Sequence, residues 1–182
     1  VKICPTHAGV SLGEDGGSHQ SVEDMALMRA IPGMVVLSPA DAVETEKMIF
    51  AVADYKGPVY VRLGRLNIPV LFDENYKFEI GKAATLTEGN DVAILATGLM
   101  VSEALEASKL LEEKGIKARV VNVSTIKPLD METVLKAAKE CKFIVTSEEH
   151  SVIGGLGSAV SEYLSEVHPT KVIKHGIQDV FG

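Results

Sequence analysis

The sequence has no tryptophan, only two cysteines and 5% aromatic residues among its 182 positions. No apolar run approaches the roughly 20 residues that a helix needs to cross a bilayer, and no secretory-signal pattern opens the chain. Positive charge is also scarce. The 18 Lys and Arg are outnumbered by 25 Asp and Glu, for a net charge of −7, and they form no cluster. This balance argues against nucleic-acid binding, which depends on neutralising phosphates. Cys4 and Cys141 are solitary, with neither metal-ligand spacing nor a CxxC pair, so a reducing compartment, the cytoplasm, is expected. Neither a membrane nor a nucleic acid is an expected partner. There is enough apolar material for a core, at 46%, and disorder is excluded on composition.

Short apolar runs alternate with helix-period segments along the whole chain. That pattern predicts an α/β protein: two three-layer α/β/α units with mostly parallel sheets. In the first unit, strands are expected at 1–5, 34–38 and 58–63. A helix is expected from a capping box at Ser21-Val22-Glu23-Asp24, and another from Pro39-Ala40-Asp41. Three strands are few for such a sheet, and the chain lacks an initiating methionine, so this unit is read as truncated at its N-terminus. Periodicity fades over 64–80, and an interdomain linker is placed at 67–80. In the second unit, strands are expected at 91–96, 118–123, 143–147 and 171–175, with an edge strand near 81–86. Its helices are expected at 100–114, 131–140 and 158–166.

Titratable groups crowd one glycine-rich loop, Thr6 to Gln20, which follows the first strand. Ligands of parallel α/β sheets collect at the carboxyl ends of the strands. His7 follows the first strand and Arg65 follows the third, so both cations are expected on one rim, where they suit a phosphate or carboxylate. Asp15 and His19 stand four apart across Gly16-Gly17. A carboxylate beside an imidazole suits proton transfer, or polarisation of a carbonyl or hydroxyl. Taken alone, Arg65 reads as readily as a surface charge, and an Asp/His pair as a loop satisfying its own backbone. Together the four favour a ligand site. Gly154, Gly155 and Gly157 precede a helix but lack P-loop or GxGxxG spacing, so they are read as packing glycines. His168 and His175 are read as structural or exposed, and Arg62 as facing solvent or a partner subunit.

The run Gly13-Glu14-Asp15-Gly16-Gly17-Ser18-His19-Gln20 closely resembles the GEDGPTHQ signature of the transketolase family. Thr6-His7, Leu63-Gly64-Arg65-Leu66-Asn67, Ala96-Thr97-Gly98 and Glu149-His150 through Gly157 extend the resemblance over essentially the whole chain. It implies that 1–66 is the later part of a pyrimidine-binding domain and 81–182 a C-terminal domain. His7 and Arg65 match residues that grip the substrate phosphate. Asp15 matches the residue that reads a substrate hydroxyl, and His19 the histidine near the donor carbonyl. The implied reaction transfers a two-carbon ketol group from a ketose phosphate to an aldose phosphate, with thiamine diphosphate and Mg2+ as cofactors. The GDG…N motif for those cofactors is not in the sequence, so the chain alone is expected to be catalytically incomplete. It is expected to pair with an N-terminal subunit or to form a homodimer.

Gly17-Ser18 stands where the family has Pro-Thr, and Ala8-Gly9 where Asp-Ser is commoner. Neither departure removes an assigned group. The neighbouring readings are a 1-deoxyxylulose-5-phosphate synthase fragment, against which Gln20 argues, and a 2-oxo-acid dehydrogenase β subunit, which lacks the GEDG run. From another class comes a non-catalytic assembly module that docks a partner at the sheet rim.

Overall fold

Runs such as Val35–Leu37 and Val59–Val61 are buried throughout, as parallel strands covered on both faces must be. In the computed structural model, which describes all 182 residues, they are the central strands of the first of two sheets. The first unit runs β1 (Lys2–Ile3), α1 (Asp24–Ala30), β2 (Val35–Leu37), α2 (Ala42–Asp54) and β3 (Val59–Val61). The second runs β4 (Ala84–Thr87), β5 (Val92–Ala96), α3 (Met100–Glu112), β6 (Ala118–Asn122), β7 (Thr125–Lys127), α4 (Met131–Glu140), β8 (Ile144–Ser151), α5 (Leu156–Val167) and β9 (Val172–Ile177). No helix is long and apolar enough to cross a membrane.

The second sheet has the order β4-β6-β5-β8-β9, parallel except for β4 at its edge. Alternation along β5 separates the two layers. Val92, Ile94 and Ala96 pack with Val101 and Ala104 of α3, while Ala93 and Leu95 pack with Val134 of α4 and Val160 of α5. The first sheet has the order β1-β3-β2-β7. Met48 and Val52 of α2 cover one face, and Met25 of α1 with Ala159 of α5 covers the other.

Two features were not expected from sequence. Strand β7 leaves the second unit to pair antiparallel with β2, so the first sheet is completed by residues 125–127. Residues 67–80 form no regular element, yet they are tied down: Leu71 and Phe72 N–H donate to Asp41 (2.7 and 2.9 Å), and the Tyr76 hydroxyl donates to Glu44 (2.7 Å).

Helix α2 begins where expected. Asp41, the N-cap, accepts from Glu44 N–H at 2.7 Å, and Glu44 accepts from Ala40 N–H at 2.7 Å, a variant of the capping box in which the returning bond goes to the residue before the N-cap. The capping box expected at Ser21 does not form. Helix α1 starts at Asp24 without a side-chain cap: the Glu23 carboxylate accepts instead from Val22 N–H (2.9 Å), and the Asp24 carboxylate accepts from Arg62 and Tyr60 (both 2.8 Å).

Candidate active site

The parallel ladder between β1 and β3 continues past both strands. Leu63 N–H donates to Pro5 carbonyl at 3.1 Å, and Ala8 N–H to Leu63 carbonyl at 3.2 Å. The two following loops therefore leave the carboxyl rim side by side. His7 is exposed, at a left-handed φ of 67°, with Nδ1 2.8 Å from Thr6 Oγ1. Histidine is among the side chains that tolerate this backbone region. Arg65 reaches across to the glycine-rich loop, where its Nη1 donates to Asp15 Oδ2 at 2.8 Å and to the Leu12 carbonyl.

Arg65 and Asp15 are thus brought together, but Asp15 and His19 are not paired. Gly16, at φ 72°, separates two single 3-10 turns, Gly13–Asp15 and Gly17–His19. Asp15 therefore turns to the full charge of the guanidinium, and His19 Nδ1 lies 3.0 Å from Ser18 Oγ. The Arg65–Asp15 pair is 41% and 46% exposed. A pair so wet is worth about 0–1 kcal/mol and is readily exchanged for an anionic ligand.

Beside this rim, at the seam between the two units, lies a cavity of about 670 Å³, within the usual range for small-molecule sites. Thr6, Gly64 and Leu66 line it, together with Ser38, Gly98 and Glu149. Of the four candidate residues, His7 and Arg65 are chain neighbours of its wall, whereas Asp15 and His19 are not.

Arg62 does not face solvent or a partner. It is 6% exposed. Its Nε donates to Asp24 at 2.8 Å, and its Nη2 donates to the Ser21 and Glu149 carbonyls at 3.2 and 2.9 Å. Tyr60 donates to the same carboxylate, and burial beside Asp24 pushes its phenol above the ordinary range. Glu149 was also missed by sequence reading: its Oε1 accepts from Val10 and Ser11 N–H at 2.7 and 2.6 Å. One signal was available, since Glu149 lies at the carboxyl end of a strand, where ligand-facing residues gather.

The glycines at the start of α5 have the packing role expected of them: a Cβ on Gly155 would collide with the Glu148 and His150 side chains, and one on Gly157 with Thr146 and Lys174. The Glu148 carboxylate, fully buried, accepts from Leu156 and Gly157 N–H at 2.7 and 2.8 Å and fills the helix N-terminus. Burial raises its carboxyl above the ordinary value despite those bonds. His168 and His175 take no part in the rim; His175 Nδ1 lies 3.0 Å from Ser147 Oγ.

His150 is wholly buried between the units. Its Nδ1 donates to the Ser151 carbonyl (2.7 Å) and its Nε2 accepts from Ala26 N–H of α1 (3.4 Å). Burial lowers its pKa from the usual imidazole value. The unfolded chain therefore binds the extra proton more readily. Stability is complete above the ordinary value of about 6.5 and is lost as pH falls below it, at no more than about 1.4 kcal/mol per pH unit. His150 should by itself make Tm decline in thermal melts between about pH 7.5 and 5.5, against the opposite trend from the raised Glu148 carboxyl 3.7 Å away. His150→Gln should flatten that slope, and an unchanged slope would assign it to other groups.

The transketolase pyrimidine-binding domain family matches residues 1–70, and the transketolase C-terminal domain family matches residues 81–182. The chain belongs to the transketolase family. Among its relatives, one of the subunits of an apulose-4-phosphate transketolase from Phocaeicola vulgatus is 46% identical, over 98% of this chain and 57% of that protein. A 6-deoxy-6-sulfo-D-fructose transketolase subunit from a Clostridium species is 45% identical, over 100% of this chain and 56% of that one. A solved structure described as a split gene transketolase, inactive beta4 tetramer, is 51% identical with a TM-score of 0.94, covering 100% of this chain and 59% of that chain. The chain thus spans just over half the length of these transketolase relatives.

Proposed function

We propose that this chain is the part of a thiamine-diphosphate-dependent transketolase that holds the anionic end of the sugar, with residues 1–66 and 81–182 as its two domains and 67–80 joining them. The observation that supports the reading most is the contact of Arg65 with the Asp15 loop, on the rim that also bears His7. Arg65 and His7 bind the phosphate, Asp15 accepts from a substrate hydroxyl, and His19 donates toward the donor carbonyl. A sulfonate, as in the sugar named for the Clostridium relative, is a tetrahedral anion of the same kind and fits the same pair of cations.

No GDG…N motif occurs in this sequence, which supports placing the magnesium diphosphate outside it. The cofactor and its metal belong to an N-terminal transketolase section with which this chain pairs, the alternative partner being a second copy of this chain, and the reaction is ketol transfer between sugar phosphates in the cytoplasm.

The test combines this chain with an N-terminal transketolase section and follows ketol transfer from xylulose 5-phosphate to ribose 5-phosphate. His19→Ala should lower kcat by about 10²- to 10⁴-fold, as loss of a proton-transferring or polarising group does. Transfer that survives both His19→Ala and Arg65→Ala unchanged would overturn the assignment.

A further inference from the structure

Residues 9–21 form a loop closed at its base, where Gly9 N–H donates to the Ser21 carbonyl at 2.8 Å. Asp15 and His19 both lie on it. Within the loop there is nothing longer than the two 3-10 turns, so its shape depends on what holds it from outside. Leu12 is buried, and its carbonyl accepts from Arg65. Arg65 also donates to Asp15 (2.8 Å) and Gly182 N–H donates to Gln20 Oε1 (2.7 Å), and the remaining ties converge on one residue of the second unit.

We propose that Glu149, at the carboxyl end of β8, is a positioning residue that clamps the substrate loop, so that the C-terminal unit sets the geometry of a site it does not itself line with catalytic groups. The carboxylate takes the loop's leading strand through Val10 and Ser11 N–H (2.7 and 2.6 Å). Its carbonyl takes the trailing strand indirectly, through Arg62, which donates both to Glu149 and to Ser21. One residue thereby references both ends of the loop. Two adjacent N–H groups on a single carboxylate oxygen form a charge-assisted pair, stronger than neutral hydrogen bonds.

The local sequence suits this contact. Gly9 has a φ of 95°, and a Cβ built on it would collide with the Glu149 carboxyl group. Glycine therefore meets both demands, the left-handed backbone and the close approach. Ser11 Oγ is buried without a partner, so the neighbouring side chain adds no other tie. Shortening the clamp by one methylene, as aspartate, would withdraw the carboxylate from both amides.

The kinetic half of this inference rests on the function proposed above, while the structural half does not, and two measurements separate them. In the chain by itself, hydrogen exchange at the Val10 and Ser11 amides should accelerate about tenfold or more in Glu149→Ala. Glu149→Gln, which keeps an acceptor oxygen, should restore most of the protection. In the enzyme assembled with an N-terminal section, Glu149→Ala and Glu149→Asp should lower kcat/KM by about 10- to 100-fold, the range expected when reacting groups shift by an ångström. Glu149→Gln should again recover most of it. Leu164→Ala, a core change in α5, should lower Tm while leaving KM and the exchange of both amides as they were.

Unchanged exchange in Glu149→Ala overturns the clamp. Faster exchange with wild-type kinetics also overturns it, because turnover would then not need the loop held. If the unsubstituted assembly transfers no ketol group, the functional reading falls, and the exchange result alone decides the clamp.

Discussion

Arg65→Ala should raise KM for a phosphorylated ketose about 100-fold while changing KM for its unphosphorylated analogue by less than about tenfold. Two charge-assisted hydrogen bonds from a guanidinium fork to a phosphate contribute about 3 kcal/mol or more, and each 1.4 kcal/mol is roughly a factor of ten. In the free protein Arg65 is committed only to an exposed carboxylate and to the Leu12 carbonyl. Losing those contacts should cost no more than about 1 kcal/mol of stability. Arg65→Lys keeps the charge and loses the planar fork, so its KM should fall between the two. Steady-state kinetics with matched phosphorylated and unphosphorylated donors decide the matter. An equal rise for both would mean that Arg65 serves only the loop.

The second large effect is on stability. Asp24→Ala should lower the unfolding free energy by about 3–5 kcal/mol, because it leaves the guanidinium of Arg62 buried and uncompensated. The pair is 6% and 8% exposed, far drier than Arg65–Asp15, so solvent screening does little to soften the loss. Urea unfolding should show a lower midpoint with an unchanged slope. Replacing both partners, as in Asp24→Leu with Arg62→Met, should recover part of the stability, since apolar residues of similar volume often replace a buried ion pair without loss, while the Tyr60 hydroxyl and the Ser21 and Glu149 carbonyls lose their partners. Asp24 Oδ1 is buried without a hydrogen-bond partner, a further reason for the double variant to fold well. A single variant as stable as the unsubstituted protein would refute this account of the pair.

Much of the fold was legible because burial imposes periodicity. The helix at Met131–Glu140 sits where expected, and the structure adds its cap, the Asp130 carboxylate accepting from Thr133 N–H. The parallel strands read as near-continuous apolar runs for the same reason. Strand β7 could not be read: Thr-Ile-Lys is too short to show alternation, and its partner β2 is some ninety positions earlier.

At the site, the dense titratable loop and its strand-end location were visible, but through-space partners were not. Asp15 and His19 are close in sequence, yet Gly16 and the nearer full charge of Arg65 part them. Arg62 was misread because charged residues are almost never fully buried unless paired, and its partner, Asp24, lies on another element. Glu149 stood out only as part of a motif, because nothing local reveals that its carboxylate serves backbone amides near the start of the chain.

The antiparallel addition of residues 125–127 to the first sheet makes the two halves of the polypeptide mutually dependent. Were the chain severed between them, β2 would be left with a raw, unpaired margin, the kind of template that recruits foreign strands and leads to aggregation. The second half would carry an orphaned three-residue ribbon. Although its family domains can be counted as two, the molecule is built to fold and fail as one.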